Sequence, residues 1–116
     1  MKVLAAIHDL MFSSKVNAAA KSAGAPILWL PRGTSVAEHV AKEKPDVLLI
    51  DLGYPSLNAV ESIRAIKAAP DTRATVVIGY IGHEQTDVIE AARAAGADQV
   101  MSKGEFARRL PELLAK

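Results

Sequence analysis

The stretch Pro45-Asp46-Val47-Leu48-Leu49-Ile50-Asp51-Leu52-Gly53-Tyr54-Pro55 decides the architecture. Val47 to Ile50 are apolar in succession, without the alternation of a half-exposed strand, so they read as a strand buried on both faces, as in a parallel sheet covered by helices. The run closes on Asp51, and Gly53 and Pro55 follow as turn formers. Open parallel sheets bind ligands at the carboxyl ends of their strands, which puts one carboxylate where chemistry is done. The plainer reading of Asp51 is a cap for the next turn or helix.

Working outward, apolar runs of strand length recur at 3–7, 26–30, 47–50, 75–80 and 99–101, with helical patterns between them at about 14–23, 35–42, 57–69, 85–95 and 106–114. Gly24 and Gly96 suit the left-handed position after a helix. Thr34 or Ser35 would cap the second helix, with Glu38 three residues beyond Ser35 in a capping-box pattern, and Pro70 ends the third helix. Val60, Ile63 and Ile66 share one face of that helix, with Glu61, Arg64 and Lys67 toward solvent. Pro111 interrupts the last pattern and predicts two short helical pieces.

Strict alternation of strand and helix predicts a three-layer α/β/α, flavodoxin-like domain with a five-stranded parallel sheet in the order 2-1-3-4-5. A dinucleotide fold is disfavoured because His8-Asp9-Leu10-Met11-Phe12 lacks the glycines that admit a pyrophosphate. The same loop, continued through Ser13 and Ser14, lacks the phosphate cradle a flavin needs. No Walker loop is present.

The bulk properties narrow the classes further. At 116 residues and 50% apolar content, residues 1–116 are expected to form one domain with a core of its own. The chain has no cysteine, which removes disulfides and thiolate chemistry and fits the reducing cytoplasm. Fourteen basic against thirteen acidic residues leave a formal charge of +1, so no global field draws the protein to nucleic acid or an anionic membrane. Arg108-Arg109 is too small a basic cluster to change that. No apolar run reaches membrane-spanning length, and the N-terminus reads as a strand rather than a signal peptide.

If the strands are parallel, one rim gathers the residues that follow them: His8 and Asp9, then Asp51 and Gly53, then Gly82 and His83, then Ser102 and Lys103. Two carboxylates beside a lysine suit a hard divalent cation together with an added anion, and the chemistry they suggest is phosphorylation of Asp51. Asp9, Asp51 and the backbone carbonyl of Gly53 would hold Mg²⁺, and Lys103 would meet a phosphoryl oxygen. His8 either joins the metal ligands or binds a backbone carbonyl. A transition-metal set of His8, Asp9, Asp51 and His83 is a further alternative. His39 reads as a surface residue, Trp29 and Tyr80 as core, and Tyr54 as a neighbour of the site.

At these residues the chain resembles the receiver domain of two-component response regulators, that is, a CheY-like domain. The resemblance is carried by Pro45 to Pro55, similar to the phosphoacceptor strand and loop, and by Ala94-Ala-Gly-Ala-Asp-Gln-Val-Met-Ser-Lys103, similar to the strand-five lysine motif. Asp51 and Lys103 stand 52 positions apart, a spacing typical of that family. The resemblance implies a non-enzymatic signalling role, a histidine kinase or phosphotransfer protein as donor, a downstream protein partner, and compatibility with a homodimer. It also implies a contact face around Tyr80 to Ala92 and the last strand and helix.

The departures are as specific. His8-Asp9 stands where the family carries two acids. Ile81 or Gly82 falls where a hydroxyl is expected, and Val100 where an aromatic commonly rotates with it. Gly104 replaces a proline after the lysine, and Ala59 a common glycine. Asp51 keeps its chemistry under these losses, but the usual relay is gone. The two readings that follow are a phosphoacceptor with an altered relay and a pseudo-receiver serving as an interaction module.

Overall fold

The computed structural model describes residues 1–115. Five strands and five α-helices alternate: β1 (Val3–Ala6), α1 (Leu10–Ala23), β2 (Ile27–Trp29), α2 (Val36–Glu43), β3 (Val47–Asp51), α3 (Ala59–Ala68), β4 (Val76–Ile81), α4 (Thr86–Ala95), β5 (Gln99–Ser102) and α5 (Lys103–Leu114). The sheet runs β2-β1-β3-β4-β5 with every pair parallel. This is the flavodoxin-like order expected from the alternation. Among the described residues no helix is long and apolar enough to cross a membrane.

The absence of alternation in β1 and β3 has a simple cause, since all four residues of β1 and all five of β3 are buried. Side chains still alternate between faces. Leu4, Ala6, Leu48, Ile50, Val77 and Ile81 face α2, α3 and α4, whereas Val3, Ala5, Val47, Leu49, Ile78 and Tyr80 face α1 and α5. Asp51 continues the series Val47, Leu49 and therefore belongs to the α1/α5 face.

The start of β4 is pinned by polar groups at the opposite end of the sheet from Asp51. The Asp98 carboxylate accepts from Val77 N at 2.7 Å and from Lys67 Nζ at 2.9 Å, and Thr75 Oγ1 donates to Pro45 O at 2.9 Å. With that end fixed, the ladder sets Ile50 beside Gly79 and Asp51 beside Tyr80. A slip of one residue would turn Tyr80 to the other face.

Three local expectations change. The first helix begins at Leu10, not near Ser14, because Asp9 caps it: its Oδ2 accepts from Phe12 N at 2.9 Å. The last helix is continuous from Lys103 to Leu114 rather than two pieces, with Pro111 inside it on an exposed face. Pro111 removes the bond its missing N–H would make and crowds the preceding turn, but it does so near the helix end, while Phe106, Leu110 and Leu114 stay buried and hold the element against the sheet. Finally, the third helical segment is divided. A 3-10 turn at Pro55–Leu57 leads to Asn58 in the left-handed region at φ 46°, and α3 starts at Ala59.

Other local readings match. Gly24 closes α1 at φ 67° and Gly96 closes α4 at φ 113°, both donating their N–H back into the last turn. Ser35 Oγ accepts from Glu38 N at 3.3 Å.

Candidate functional site

Asp51 ends β3 with its residue only 7% exposed. Its Oδ1 accepts from Gly53 N at 3.0 Å, a short-range turn contact that the glycine-containing loop makes available. Burial holds the carboxyl above its ordinary range; the Gly53 N–H, the Lys103 ammonium and the Tyr80 hydroxyl pull it back down, and the Asp9 carboxylate pushes it up. Asp9, Asp51 and Lys103 therefore share one electrostatic site.

Their supports are local and distinct. Asp9 serves as N-cap of α1 through one oxygen, and its backbone carbonyl also accepts from Ser13 Oγ at 2.6 Å. Lys103 is exposed at the first position of α5, and that helix is capped by the residue before it, Ser102 Oγ accepting from Glu105 N at 3.1 Å. The strand runs into the helix without a loop, so Gly104 lies in the first turn, where nothing stands within 4 Å of an added Cβ.

His8 takes the plainer of its two readings. Its Nε2 lies 3.1 Å from Leu30 O and its ring meets the edge of Tyr54 at 5.6 Å, while Nδ1 is buried with no partner. His83 is turned to solvent beside Glu84, and Gly82 precedes it with the Glu84 carboxylate filling the space a Cβ would need. Among the described residues no three His, Cys, Asp or Glu side chains gather as metal ligands. The His8, Asp9, Asp51 and His83 set is therefore not assembled: His83 is turned to solvent and His8 to the Leu30 carbonyl. The acidic side chains left acting on one another are Asp51 and Asp9, oxygen chemistry of the kind that suits Mg²⁺ completed by water.

Neither Ile81 nor Gly82, the two positions where the resemblance implies a hydroxyl, carries one, and Ile81 sets a hydrocarbon side chain beside the Asp51–Gly53 turn. Its side chain lies 3.5 Å from the position of a Cβ on Gly53, and that same position is 3.6 Å from Asp51 Oδ1. Ile81 is 5% exposed and packs with the α2–α4 core. Val100 is partly buried on that face as well, so neither residue can supply a polar or aromatic relay.

Two residues near the site carry more than their sequence positions suggest. Arg32, after β2, donates to His8 O at 2.9 Å and to the Tyr54 hydroxyl at 3.1 Å, closing the rim on the β1 side. Its signal was its place after a strand, in Pro31-Arg32-Gly33. Tyr80 is core, as its strand position implies, and is fully buried. Its ring stacks on Phe12 at 4.8 Å and on Phe106 at 4.3 Å. Its hydroxyl, however, is turned toward Asp51 and has no partner in hydrogen-bond geometry. Burial and the Asp51 and Asp9 carboxylates keep that hydroxyl protonated. No sequence pattern reveals this, since it depends on the register of β3 against β4.

The sequence model of the response regulator receiver domain matches residues 8–115. A protein-glutamate methylesterase/protein-glutamine glutaminase of Myxococcus xanthus is 30% identical over 100 residues, 84% of this chain and 28% of that protein. Its counterpart in Thermotoga maritima is 29% identical over 89 residues, 72% of this chain and 26% of that protein. The chain thus spans about a quarter of the length of these curated relatives. A response regulator from Hahella chejuensis superposes with a TM-score of 0.84 at 18% identity, covering 97% of this chain and 91% of that one. The receiver domain of a sensor histidine kinase from Pseudomonas aeruginosa, solved with a magnesium ion coordinated in its active-site cleft, gives 0.78 at 19% identity over 97% and 96% of the two chains. The structural likenesses show the shared fold, and the sequence match extends over nearly all of it. By that match the chain belongs to the response regulator receiver domain family.

Proposed function

We propose that this receiver domain of two-component signalling accepts a phosphoryl group on Asp51 and passes the signal on through protein contacts. The observation that carries the reading is the buried Asp51 carboxylate at the end of β3, steadied by Gly53 N–H and placed in the fields of both Asp9 and Lys103. The donor is a histidine kinase or phosphotransfer protein. One Asp51 oxygen attacks phosphorus, the bond from phosphorus to the donor's imidazole nitrogen breaks, and its electron pair returns to that nitrogen.

Asp9, Asp51 and the Gly53 carbonyl would hold Mg²⁺, and the donor set described above fits it. When bound, the ion supplies neutralisation of charge on the transferring oxygens. Asp51 is the nucleophile, and Gly53 N–H fixes the direction of its carboxylate. Lys103 offers its exposed ammonium to a phosphoryl oxygen once the group has moved. Asp9 brings a second negative charge that opposes ionisation of Asp51 until a cation balances it. With one acid fewer than the family pattern, metal affinity is expected to be low.

The test is the intact mass after incubation with acetyl phosphate and Mg²⁺, beside Asp51→Asn. A gain of one phosphoryl group by the wild type alone supports the reading. The second reading, a pseudo-receiver acting as an interaction or dimerisation module, is favoured by the absence of a hydroxyl at both Ile81 and Gly82. It predicts no mass gain from acetyl phosphate or from a phosphorylated kinase, and no Mg²⁺ binding.

A further inference from the structure

We propose that Tyr80 supplies from the core the hydroxyl that the rim lacks, donating a hydrogen bond to the Asp51 carboxyl group and so setting how long a phosphoryl group remains there. The inference rests on Asp51 being the phosphoacceptor.

Asp51 and Tyr80 are direct neighbours in the β3/β4 ladder, so their side chains leave the sheet on the same face. The Tyr80 ring cannot turn away, since Phe12 of α1 and Phe106 of α5 stack against it and the residue is wholly buried. Its hydroxyl has no competing partner. An unpaired buried hydroxyl is costly, and a phenylalanine would fill the same cluster without that cost. The charges that act on it are those of Asp51 first and Asp9 second. A donor held in direction but not yet engaged is common in sites that tighten only when loaded.

The chemistry gives the sign of the effect. In hydrolysis a water oxygen attacks phosphorus, the bond from phosphorus to the Asp51 oxygen breaks with its electron pair passing to the carboxylate, a water proton goes to solvent, and inorganic phosphate leaves. Tyr80 keeps its proton throughout. Its hydrogen bond strengthens as charge gathers on the carboxylate, so it speeds loss of the phosphoryl group. In loading, the same bond stabilises the free carboxylate more than the transition state and slows attack.

Removing the hydroxyl should therefore slow loss of the phosphoryl group without slowing its loading, which a mere loss of packing does not do. The experiment compares wild type and Tyr80→Phe, each shown to be folded by its thermal melt, for the loading rate from acetyl phosphate and Mg²⁺ and for the half-life of the phosphorylated form after the donor is removed. Tyr80→Phe should hold its phosphoryl group about tenfold longer, the rate equivalent of one charge-assisted hydrogen bond, and load at least as fast. An unchanged or shorter half-life, or loading and loss slowed together, overturns the proposal while leaving Asp51 as acceptor. No mass gain in the wild type from acetyl phosphate or a phosphorylated kinase removes the underlying reading, and the proposal with it. A second measurement uses the wild type alone: with beryllofluoride and Mg²⁺ bound, the Tyr80 hydroxyl proton should give a downfield NMR signal. A bound complex without that signal also overturns the proposal.

Discussion

Asp51 shows how one residue can be placed for chemistry at the expense of the fold. Its charged form is opposed by burial first and by Asp9 second, so its carboxyl sits above the ordinary range despite Gly53 and Lys103. A carboxyl whose folded pKa is raised favours the native state while it is protonated, and that contribution is lost as pH rises through the raised value. Asp51→Asn in metal-free buffer should therefore melt several degrees above wild type near neutral pH. The difference should shrink as pH falls toward the unperturbed value of 3.8. Melts across that range check it, and an Asn variant no more stable at pH 7 would contradict the electrostatic account. Asp51, Asp9 and Lys103 were legible from sequence because each follows an apolar run, and strand ends converge in a parallel sheet. Tyr80 was legible only as core, because the atom that matters is set by a neighbour 29 positions away in the ladder.

At the scale of elements, the first helix carries the clearest discrepancy between sequence and structure. Leu10 and Met11 are 81% and 61% exposed, so an amphipathic pattern cannot be read through them, and Asp9 looked like a rim ligand rather than a cap. The structure shows the cap, and the proposed function adds the ligand role. The two roles separate by substitution, since asparagine caps helices about as well as aspartate whereas alanine does not. Asp9→Asn should keep wild-type resistance to urea and Asp9→Ala should lose about 1 kcal/mol. Both should lose Mg²⁺ affinity, because neither restores the second carboxylate. If Asp9→Asn bound Mg²⁺ as wild type does, Asp9 would be a cap alone. Pro111 misled for a related reason: local propensity predicted a break, but the buried stripe of Phe106, Leu110 and Leu114 outweighs one missing hydrogen bond near a helix end.

At the scale of the whole molecule, alternation of strand and helix was enough for the class of fold, and the order 2-1-3-4-5 goes with that class. The rim is assembled from the ends of separate strands, so an ion held there adds a tie between them. Mg²⁺ at ten times its dissociation constant should stabilise the wild type by about 1.4 kcal/mol, with a smaller gain for Asp51→Asn. Thermal melts over a Mg²⁺ series measure this, and a midpoint indifferent to the ion would argue against a metal site. The aromatic cluster of Phe12, Tyr80 and Phe106 touches α1, β4 and α5 at once. It also contains both phenylalanines of the chain. Isotopic labelling of phenylalanine alone would thus light up this cluster and nothing else, turning the flip rates of two rings into a readout of the core beneath Asp51.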